Sequence, residues 1–171
     1  MKVRIKKLHE NAVIPSYSKK GDAGLDLTAV DKYYDTDGNV VYHTGIAMEI
    51  PEGYVGLVFP RSSICTKDIS LTNAVGVIDS GYRGEITMKF KPTLCFQPNE
   101  CTNLLDDDKF YESDGVYIPF DKTIPIEPVV YNCKERIGQI IIMPYPCIEF
   151  EEVDELSKTE RGDNGYGSSG K

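Results

Sequence analysis

The chain has 171 residues, of which 40% are hydrophobic and 27% are charged, which fits one domain able to bury a core. A formal net charge of −8 argues against nucleic-acid binding, because no basic face is visible in the sequence. No apolar run approaches the roughly 20 residues of a membrane span, and the N-terminus lacks the apolar core of a signal peptide, so we expect a cytoplasmic protein with no membrane partner.

The cysteine and histidine content argues against a structural metal. Five cysteines are an odd number, none of them has CxxC spacing, and the sequence holds only two histidines. This pattern disfavours zinc and a disulfide-stapled secreted fold. Unpaired thiols, buried or incidental, in a reducing compartment are the expectation.

Short strand patterns recur along the chain, whereas helical periodicity is hard to find. Residues 45–50 and 86–91 are apolar at every second position, and residues 137–143 form an apolar run typical of a strand buried on both faces. Gly, Pro, Asn and Asp clusters separate such runs. The sequence therefore predicts an all-β domain, either a sandwich or a jelly roll.

The segment AGLDL, residues 23–27, reads as a short apolar strand that carries Asp26. A carboxylate buried on an apolar strand has to be paired or hydrogen-bonded, so we expect Asp26 to have such a partner.

The segment PRSSI, residues 60–64, combines an arginine with two serines. The planar guanidinium of Arg61 suits phosphate oxygens, and Ser62 and Ser63 add hydroxyl and backbone N–H donors. If a short helix begins here, its first amides also face an anion favourably. The alternative is an N-cap serine beside a surface arginine.

Residues 73–86 read as a strand, a glycine-containing turn and a returning strand, which predicts a β-hairpin. Backbone N–H and C=O groups of such a hairpin can pair with the edge of a base and distinguish one base from another. Asp79 stands at the end of the first strand, where its carboxylate can take a proton from water. Capping of the turn is the alternative role for Asp79.

In RIGQI, residues 136–140, Arg136 and Gln139 are three positions apart. They fall on opposite faces of a regular strand, so they serve one site only if a bulge intervenes. The alternative for Arg136 is a surface ion pair with Glu135 or Asp79.

The last segment, RGDNGYGSSG at residues 161–170, is rich in Gly and Ser. Arg161 can bind a phosphate bidentately, and Tyr166, between two glycines, can stack on a base. We expect residues 157–171 to form a flexible lid that orders on binding. Taken alone, the composition also fits a disordered tail.

These five segments in this order resemble the trimeric dUTPase family, and they span nearly the whole chain. The resemblance implies a distorted jelly-roll β-sandwich, a homotrimer with shared active sites, and Mg²⁺-assisted hydrolysis of dUTP to dUMP and pyrophosphate. It also implies that Mg²⁺ has no direct protein ligand. Asp26 is implied either to support the hydration shell of the metal or to hold the phosphate-binding arginines from behind.

The resemblance implies a role for each candidate residue. Asp79 is implied to be the general base, and Tyr82 to exclude a ribose 2′-hydroxyl. The other implied contacts are with uracil for Asn73, Gly76, Val77, Ile78 and Thr87, with the phosphates for Arg61, Ser62, Ser63, Arg136, Gln139, Arg161, Ser168 and Ser169, and within the closing lid for Tyr166 and Gly167.

Residues 98–122 are acidic, aromatic-rich and irregular, and they interrupt the expected β domain of residues 1–156. Most members of the family have a shorter connection there. We expect either a solvated loop or an arm that binds an unidentified protein partner through Phe110, Tyr111 and Tyr117.

Two further functions stay open. A dCTP deaminase of the same fold would need a glutamate base near the hairpin and a contact to the cytosine amino group. A non-enzymatic regulatory protein would act through the insertion. The NAVGVID segment followed by Tyr82, and the glycine-rich tail, favour dUTPase over the deaminase.

Overall fold

The structure is a computed structural model and describes residues 1–93, 95–98, 111–112, 115–116 and 123–164. Almost all regular elements are strands, as the sequence predicts. The strands are β1 Arg4–Lys7, β2 Leu25–Thr28, β3 Asp31–Tyr34, β4 Val40–His43, β5 Ile46–Glu49, β6 Tyr54–Pro60, β7 Ile69–Leu71, β8 Gly76–Ile78, β9 Thr87–Pro92, β10 Cys95–Pro98, β11 Tyr111–Glu112, β12 Gly115–Val116, β13 Thr123–Ile126 and β14 Arg136–Pro144. A 3₁₀ helix spans Ser62–Thr66. Within the described ranges no helix has the length and apolar content to cross a bilayer.

Two four-stranded sheets form the body of the fold. The first has the order β2-β14-β6-β8 and the second the order β3-β4-β9-β7, and the pairs within both are antiparallel. Strands β1 and β5 form a separate antiparallel pair. This arrangement confirms the predicted all-β sandwich.

The core lies between the sheets, where apolar side chains of both pack together. Residues Ile86, Met88 and Phe90 are buried while their neighbours Thr87 and Lys89 are exposed, which confirms the alternation predicted for this strand. The two sheets are in close contact at Gly138, where an added Cβ would lie 2.3 Å from the sulfur of Met88. Only glycine allows β14 to pass this close to β9.

The prediction that residues 137–143 are buried on both faces is wrong for the second half of the strand. Ile137 and Ile140 are fully buried, but Ile142 is only partly buried and Met143 is 44% exposed. The pairing of β14 with β2 stops at Ile140, which lies opposite Leu25. The rest of β14 therefore has a neighbouring strand, β6, on one side only.

The predicted hairpin at residues 73–86 is also wrong. Strand β8 pairs with β6 in the first sheet, whereas β9 pairs with β4 and β7 in the second. The intervening residues 79–86 therefore cross from one sheet to the other. Strand β8 pairs over its full length with β6, and β9 has β4 and β7 as its two neighbours, so the hydrogen-bonding groups of both strands are used within their own sheets.

Strands β10 and β13 pair so that Pro98 lies opposite Thr123. The two ends of the 98–122 segment are thereby brought together. Inside it, β11 pairs with β12, so the backbone of Tyr111 is placed, whereas Phe110 and Tyr117 lie outside the described residues.

Candidate active site

Asp26 joins two arginines that are far apart in sequence. One of its oxygens lies 2.9 Å from Nε of Arg61, and the other accepts a hydrogen bond of 2.8 Å from Nη1 of Arg136. The Asp26 side chain is only 14% exposed, whereas the Arg136 side chain is half exposed. The expectation that Asp26 is paired or hydrogen-bonded is confirmed. Each arginine uses only part of its guanidinium N–H groups for this carboxylate, so further donors remain.

A bulge in β14 brings the residues of RIGQI to one side. Residue Arg136 pairs with Thr28 and Gly138 with Leu27, so one extra residue is inserted in β14 between them. Such a bulge shifts the alternation of faces. Residue Gln139 then lies directly opposite Asp26, the partner of Arg136, which meets the condition that the sequence set for a shared site.

The amide of Gln139 is packed against Gly24. A Cβ at Gly24 would lie 2.2 Å from Oε1 of Gln139, so glycine is required for this approach. On its other side, Nε2 of Gln139 donates to the carbonyl of Pro60 at 3.4 Å. The two contacts set the orientation of the amide at the surface.

Ser62 and Ser63 begin the 3₁₀ helix, but neither caps it with its side chain. The hydroxyl of Ser63 is hydrogen-bonded to that of Tyr131 at 2.9 Å. This contact turns the Ser63 side chain inward and leaves its backbone N–H as the group available to a ligand. Ser62 is exposed and lines the same depression as Arg61.

These residues line a polar depression of about 310 Å³, which we call the arginine pocket. Its lining consists of Ser18, Asp22, Ala23, Gly24, Asp26, Arg61, Ser62, Gln139 and Ile141. It is positioned by the ends of three neighbouring strands, β2, β14 and β6. Arginine donors and small polar groups at such an edge can bind a polyphosphate.

A second set of residues lines two adjoining depressions. The strand pocket, about 260 Å³, includes Asn73, Gly76, Val77, Ile78, Thr87 and Lys89, and the turn pocket, about 130 Å³, is lined by Val77, Ile78, Asp79, Tyr82, Glu85 and Thr87. Three residues are common to both, so the pockets are contiguous. The candidate base, sugar and catalytic residues from Asn73 to Thr87 therefore lie together.

The turn that holds Asp79 is closed by a hydrogen bond of 3.1 Å from the N–H of Tyr82 to the carbonyl of Asp79. The ring of Tyr82 folds back over Gly84, where a Cβ would lie 2.4 Å from the tyrosine hydroxyl. That hydroxyl donates to the carbonyl of Glu85 at 2.9 Å. The ring remains 44% exposed, so one of its surfaces is free to contact a ligand.

Lys89, at the edge of the strand pocket, forms a 2.9 Å ion pair with Asp35. The ammonium of Lys89 donates a hydrogen bond to the carboxylate of Asp35, and this bond raises the pKa of Lys89. The same bond, followed by the one that Asn39 donates, holds the pKa of Asp35 far below its usual range. Both groups are therefore charged at neutral pH, and Lys89 contributes a fixed positive charge near the pocket.

The arginine pocket and the turn pocket lie at opposite ends of the first sheet. Ile78 is paired with Gly56, whereas Arg61 follows the far end of β6. Because β8 runs antiparallel to β6, the chain from Ile78 to Asp79 continues away from Arg61. At about 3.4 Å per residue along the strands, Asp79 and Arg61 are about 20 Å apart. One copy of the chain therefore does not bring its own Asp79 to its own arginines.

Arg161 is exposed, and its Nε donates to the carbonyl of Asn164 at 3.2 Å. It lines none of the arginine, strand and turn pockets in this structure. The remaining residues of the last segment, Tyr166, Gly167, Ser168 and Ser169, lie outside the described residues.

The sequence did not single out three residues of these pockets. Ser18 accepts a 3.4 Å hydrogen bond from Arg136, Gly24 makes room for Gln139, and Glu85 lines the turn pocket. Gly24 and Glu85 lie inside the quoted motifs, so their place in a motif could have marked them as candidate site residues. Ser18 lies eight residues before Asp26 in a loop, and nothing in its local sequence indicates the contact.

The described ranges contain no cluster of three His, Cys, Asp or Glu side chains that could hold a metal ion. Both oxygens of Asp26 are already engaged by arginines. The donor set therefore fits a magnesium ion bound mainly through substrate phosphates and water, and not one held by a protein cage.

The family of the chain is shown by comparison with known proteins. The dUTPase family profile matches residues 10–93 and 124–170, and the chain belongs to the dUTPase family. Deoxyuridine 5′-triphosphate nucleotidohydrolases of Corynebacterium glutamicum and Nautilia profundicola are 35% and 36% identical to it, over 99% and 100% of this chain and 95% and 100% of theirs.

A dUTPase of Staphylococcus bacteriophage 80alpha, solved with dUPNHPP, superposes with a TM-score of 0.69 at 31% identity and covers 99% of this chain and 98% of its own. A dUTPase from the S. aureus phage phi11, described with a structural Mg(II) ion, gives a TM-score of 0.63 at 25% identity, over 91% of this chain and 99% of its own. The resemblance seen in the sequence is thereby confirmed.

Proposed function

We propose that this chain hydrolyses dUTP to dUMP and pyrophosphate in sites formed between its subunits. One observation carries the proposal. Of the described residues with an implied phosphate role, Arg61, Ser62 and Gln139 line the arginine pocket, and Arg136 is bonded to Asp26 in it. The residues with implied base, sugar and catalytic roles line the contiguous strand and turn pockets. This grouping supports a nucleotide site built from two separate halves.

The strand pocket selects the base. Val77 and Asn73 line this pocket, and a backbone N–H of the strand or the amide of Asn73 can offer a donor to O4 of uracil, where cytosine would present an amino group. The exposed face of Tyr82 lies under the deoxyribose and leaves no room for a 2′-hydroxyl. Thr87, on the returning strand, is the less central contact.

Catalysis consists of in-line attack by water on the α-phosphorus. Asp79 takes one proton from the water as its oxygen bonds to phosphorus, and the bond to the oxygen bridging the α- and β-phosphorus atoms breaks, releasing pyrophosphate. Arg61, Arg136 and Arg161 bind the phosphate oxygens, and Gln139 adds a hydrogen bond. Asp26 orients Arg61 and Arg136 from behind.

Magnesium fits this scheme as a partner of the triphosphate. When bound, it neutralises phosphate charge, which assists departure of pyrophosphate. Of the two roles implied for Asp26, support of the arginines agrees better with its two ion pairs than support of the hydration shell.

A homotrimer solves the separation of about 20 Å between Asp79 and Arg61 that the strand registers imply. The turn pocket of one subunit would face the arginine pocket of another. The segment after β14 supports such an assembly, because it carries exposed apolar side chains that include Ile148, Phe150 at 93% and Leu156 at 87%. Exposed apolar residues in a row are typical of surfaces that bind another chain.

The remaining parts have proposed roles outside the chemistry. Residues 157–171 act as a lid that closes over the nucleotide, with Tyr166 stacking on the base. The 98–122 insertion binds an unidentified protein partner. Among the residues whose side chains the structure describes, Cys65, Cys133 and Cys147 are exposed free thiols, which fit a reducing compartment and support a cytoplasmic location.

Replacing Gly24 with alanine is expected to impair phosphate binding with little loss of stability. The new Cβ would displace the Gln139 amide, whose Oε1 is 2.2 Å away, but a flexible side-chain end can move at low cost. We expect KM for dUTP to rise about tenfold and unfolding free energy to fall by less than about 1 kcal/mol. Steady-state kinetics and thermal unfolding measure both. Gly53→Ala is the control, because Gly53 lies outside the three pockets and its positive φ strains an alanine, so this variant should lose stability and keep its KM.

The proposed function is tested by incubating the full-length chain and Mg²⁺ with dUTP, UTP or dCTP. We expect pyrophosphate from dUTP and at least 100-fold less from UTP and dCTP. Ammonia from dCTP would instead identify a deaminase. Glu85, the glutamate in the turn pocket, has both oxygens engaged by Gly45 and His43, which argues against such a base. Absence of any turnover would point to the regulatory alternative.

A further inference from the structure

Glu85 holds two segments of the chain together beside the turn pocket. Its Oε1 accepts a hydrogen bond of 2.7 Å from the N–H of Gly45, and its Oε2 lies 2.7 Å from Nδ1 of His43. The Glu85 side chain is only 24% exposed. The carboxylate therefore anchors residue 85 to the connection between β4 and β5.

The main chain around Glu85 is fixed in the same place. The N–H of Ile86 donates to the carbonyl of Ile46 at 2.8 Å, and the hydroxyl of Thr44 donates to the carbonyl of Ile86 at 2.6 Å. Ile86 itself is buried in the core. The carbonyl of Glu85, which accepts the hydroxyl of Tyr82, is thus held by bonds on both sides of it.

We propose that Glu85 is a positioning residue for sugar selection. Its carboxylate oxygens are occupied by Gly45 and His43, so it acts through Tyr82 and not on the nucleotide. It keeps the acceptor of the Tyr82 hydroxyl in place, and the ring is thereby kept close enough to the sugar to reject a 2′-hydroxyl. Small displacements of such a supporting group loosen a site. The inference rests on the proposed function, in which Tyr82 faces the deoxyribose.

The test compares kcat/KM for dUTP with kcat/KM for UTP in the full-length protein. Glu85→Ala is expected to lower the ratio of the two about tenfold, mainly because UTP becomes a better substrate. Glu85→Gln keeps an amide oxygen that can accept from Gly45, so we expect its ratio to stay within about threefold of the parent protein.

A second variant separates positioning from general stability. Tyr82→Phe removes the hydroxyl that contacts the Glu85 carbonyl, so adding Glu85→Ala to it should change the ratio by less than about twofold. Asp68→Ala is the matched control, because the carboxylate of Asp68 also accepts a hydrogen bond from a distant main-chain N–H, that of Val129, at 2.7 Å. It is expected to lower Tm and leave the ratio unchanged.

Two results would overturn the inference. One is a Glu85→Ala protein that loses Tm as Asp68→Ala does but keeps its ratio. The other is that Glu85→Ala lowers the ratio of kcat/KM for dUTP to that for UTP as much in the Tyr82→Phe protein as in the parent protein. Failure of the proposed function is distinguishable, because the unsubstituted chain would then release no pyrophosphate from dUTP.

Discussion

Asp79→Asn is expected to lower kcat for dUTP by about 10²–10⁴ while the protein still binds nucleotide. The asparagine has nearly the same size, so the turn closed by the Tyr82 N–H to Asp79 carbonyl bond is retained, because that bond uses the main chain. What is lost is a group that can accept a proton from the attacking water. Pyrophosphate release under substrate saturation measures kcat, and calorimetry with a non-hydrolysable dUTP analogue measures binding.

Asp154→Asn is the control for this substitution, since Asp154 is exposed and lies outside the three pockets. Its kcat should match that of the parent protein. Unchanged turnover in Asp79→Asn would refute the role of Asp79 as the base. Loss of analogue binding together with lower Tm would show that Asp79 supports the turn, which is the capping role considered from the sequence.

Mixing two inactive variants is expected to restore activity. If each site takes Asp79 from one subunit and Arg61 from another, Asp79→Asn and Arg61→Gln chains complement each other when they assemble together. In a random equal mixture, roughly a quarter of the sites combine an intact Asp79 with an intact Arg61, because half of the subunits keep each residue. Co-refolding the two proteins and measuring pyrophosphate release from dUTP tests this.

The separation of about 20 Å between Asp79 and Arg61 along the strands is the physical reason for the expectation. Each variant refolded alone, and the two mixed without refolding, are the controls and should stay near background. A co-refolded mixture that remains inactive, although each variant forms the same oligomer as the parent protein, would contradict shared sites. Arg61→Gln is chosen because its amide can still donate to Asp26.

Local sequence patterns were sufficient to predict strands, a buried face and the family of this protein. The alternation at Ile86, Met88 and Phe90 identified a strand and its buried face, because side chains in a strand change sides at every residue. The presence of Asp26 in an apolar strand required a partner, because an unpaired buried carboxylate is costly. The order of five short motifs was sufficient to identify the family.

Pairing between distant segments was decided by the tertiary structure. Strand β8 was expected to pair with β9, yet it pairs with β6. Which strand becomes the partner depends on segments far away in the chain, so the residues between β8 and β9 do not reveal it. The same pairing places Asp79 at the far end of the sheet from Arg61. Local sequence carries no information on that distance.

The sequence alone thus determined the family and the candidates for chemistry, because residue type and spacing limit what a side chain can donate, accept or bind. Only the tertiary structure decided which of them meet. The bulge that aligns Gln139 with Asp26, the close contact of Gly24 with Gln139, and the anchoring of Glu85 by Gly45 all join positions at least 40 residues apart in the chain. Such contacts follow from strand register and packing, which the chain sets only when it folds as a whole.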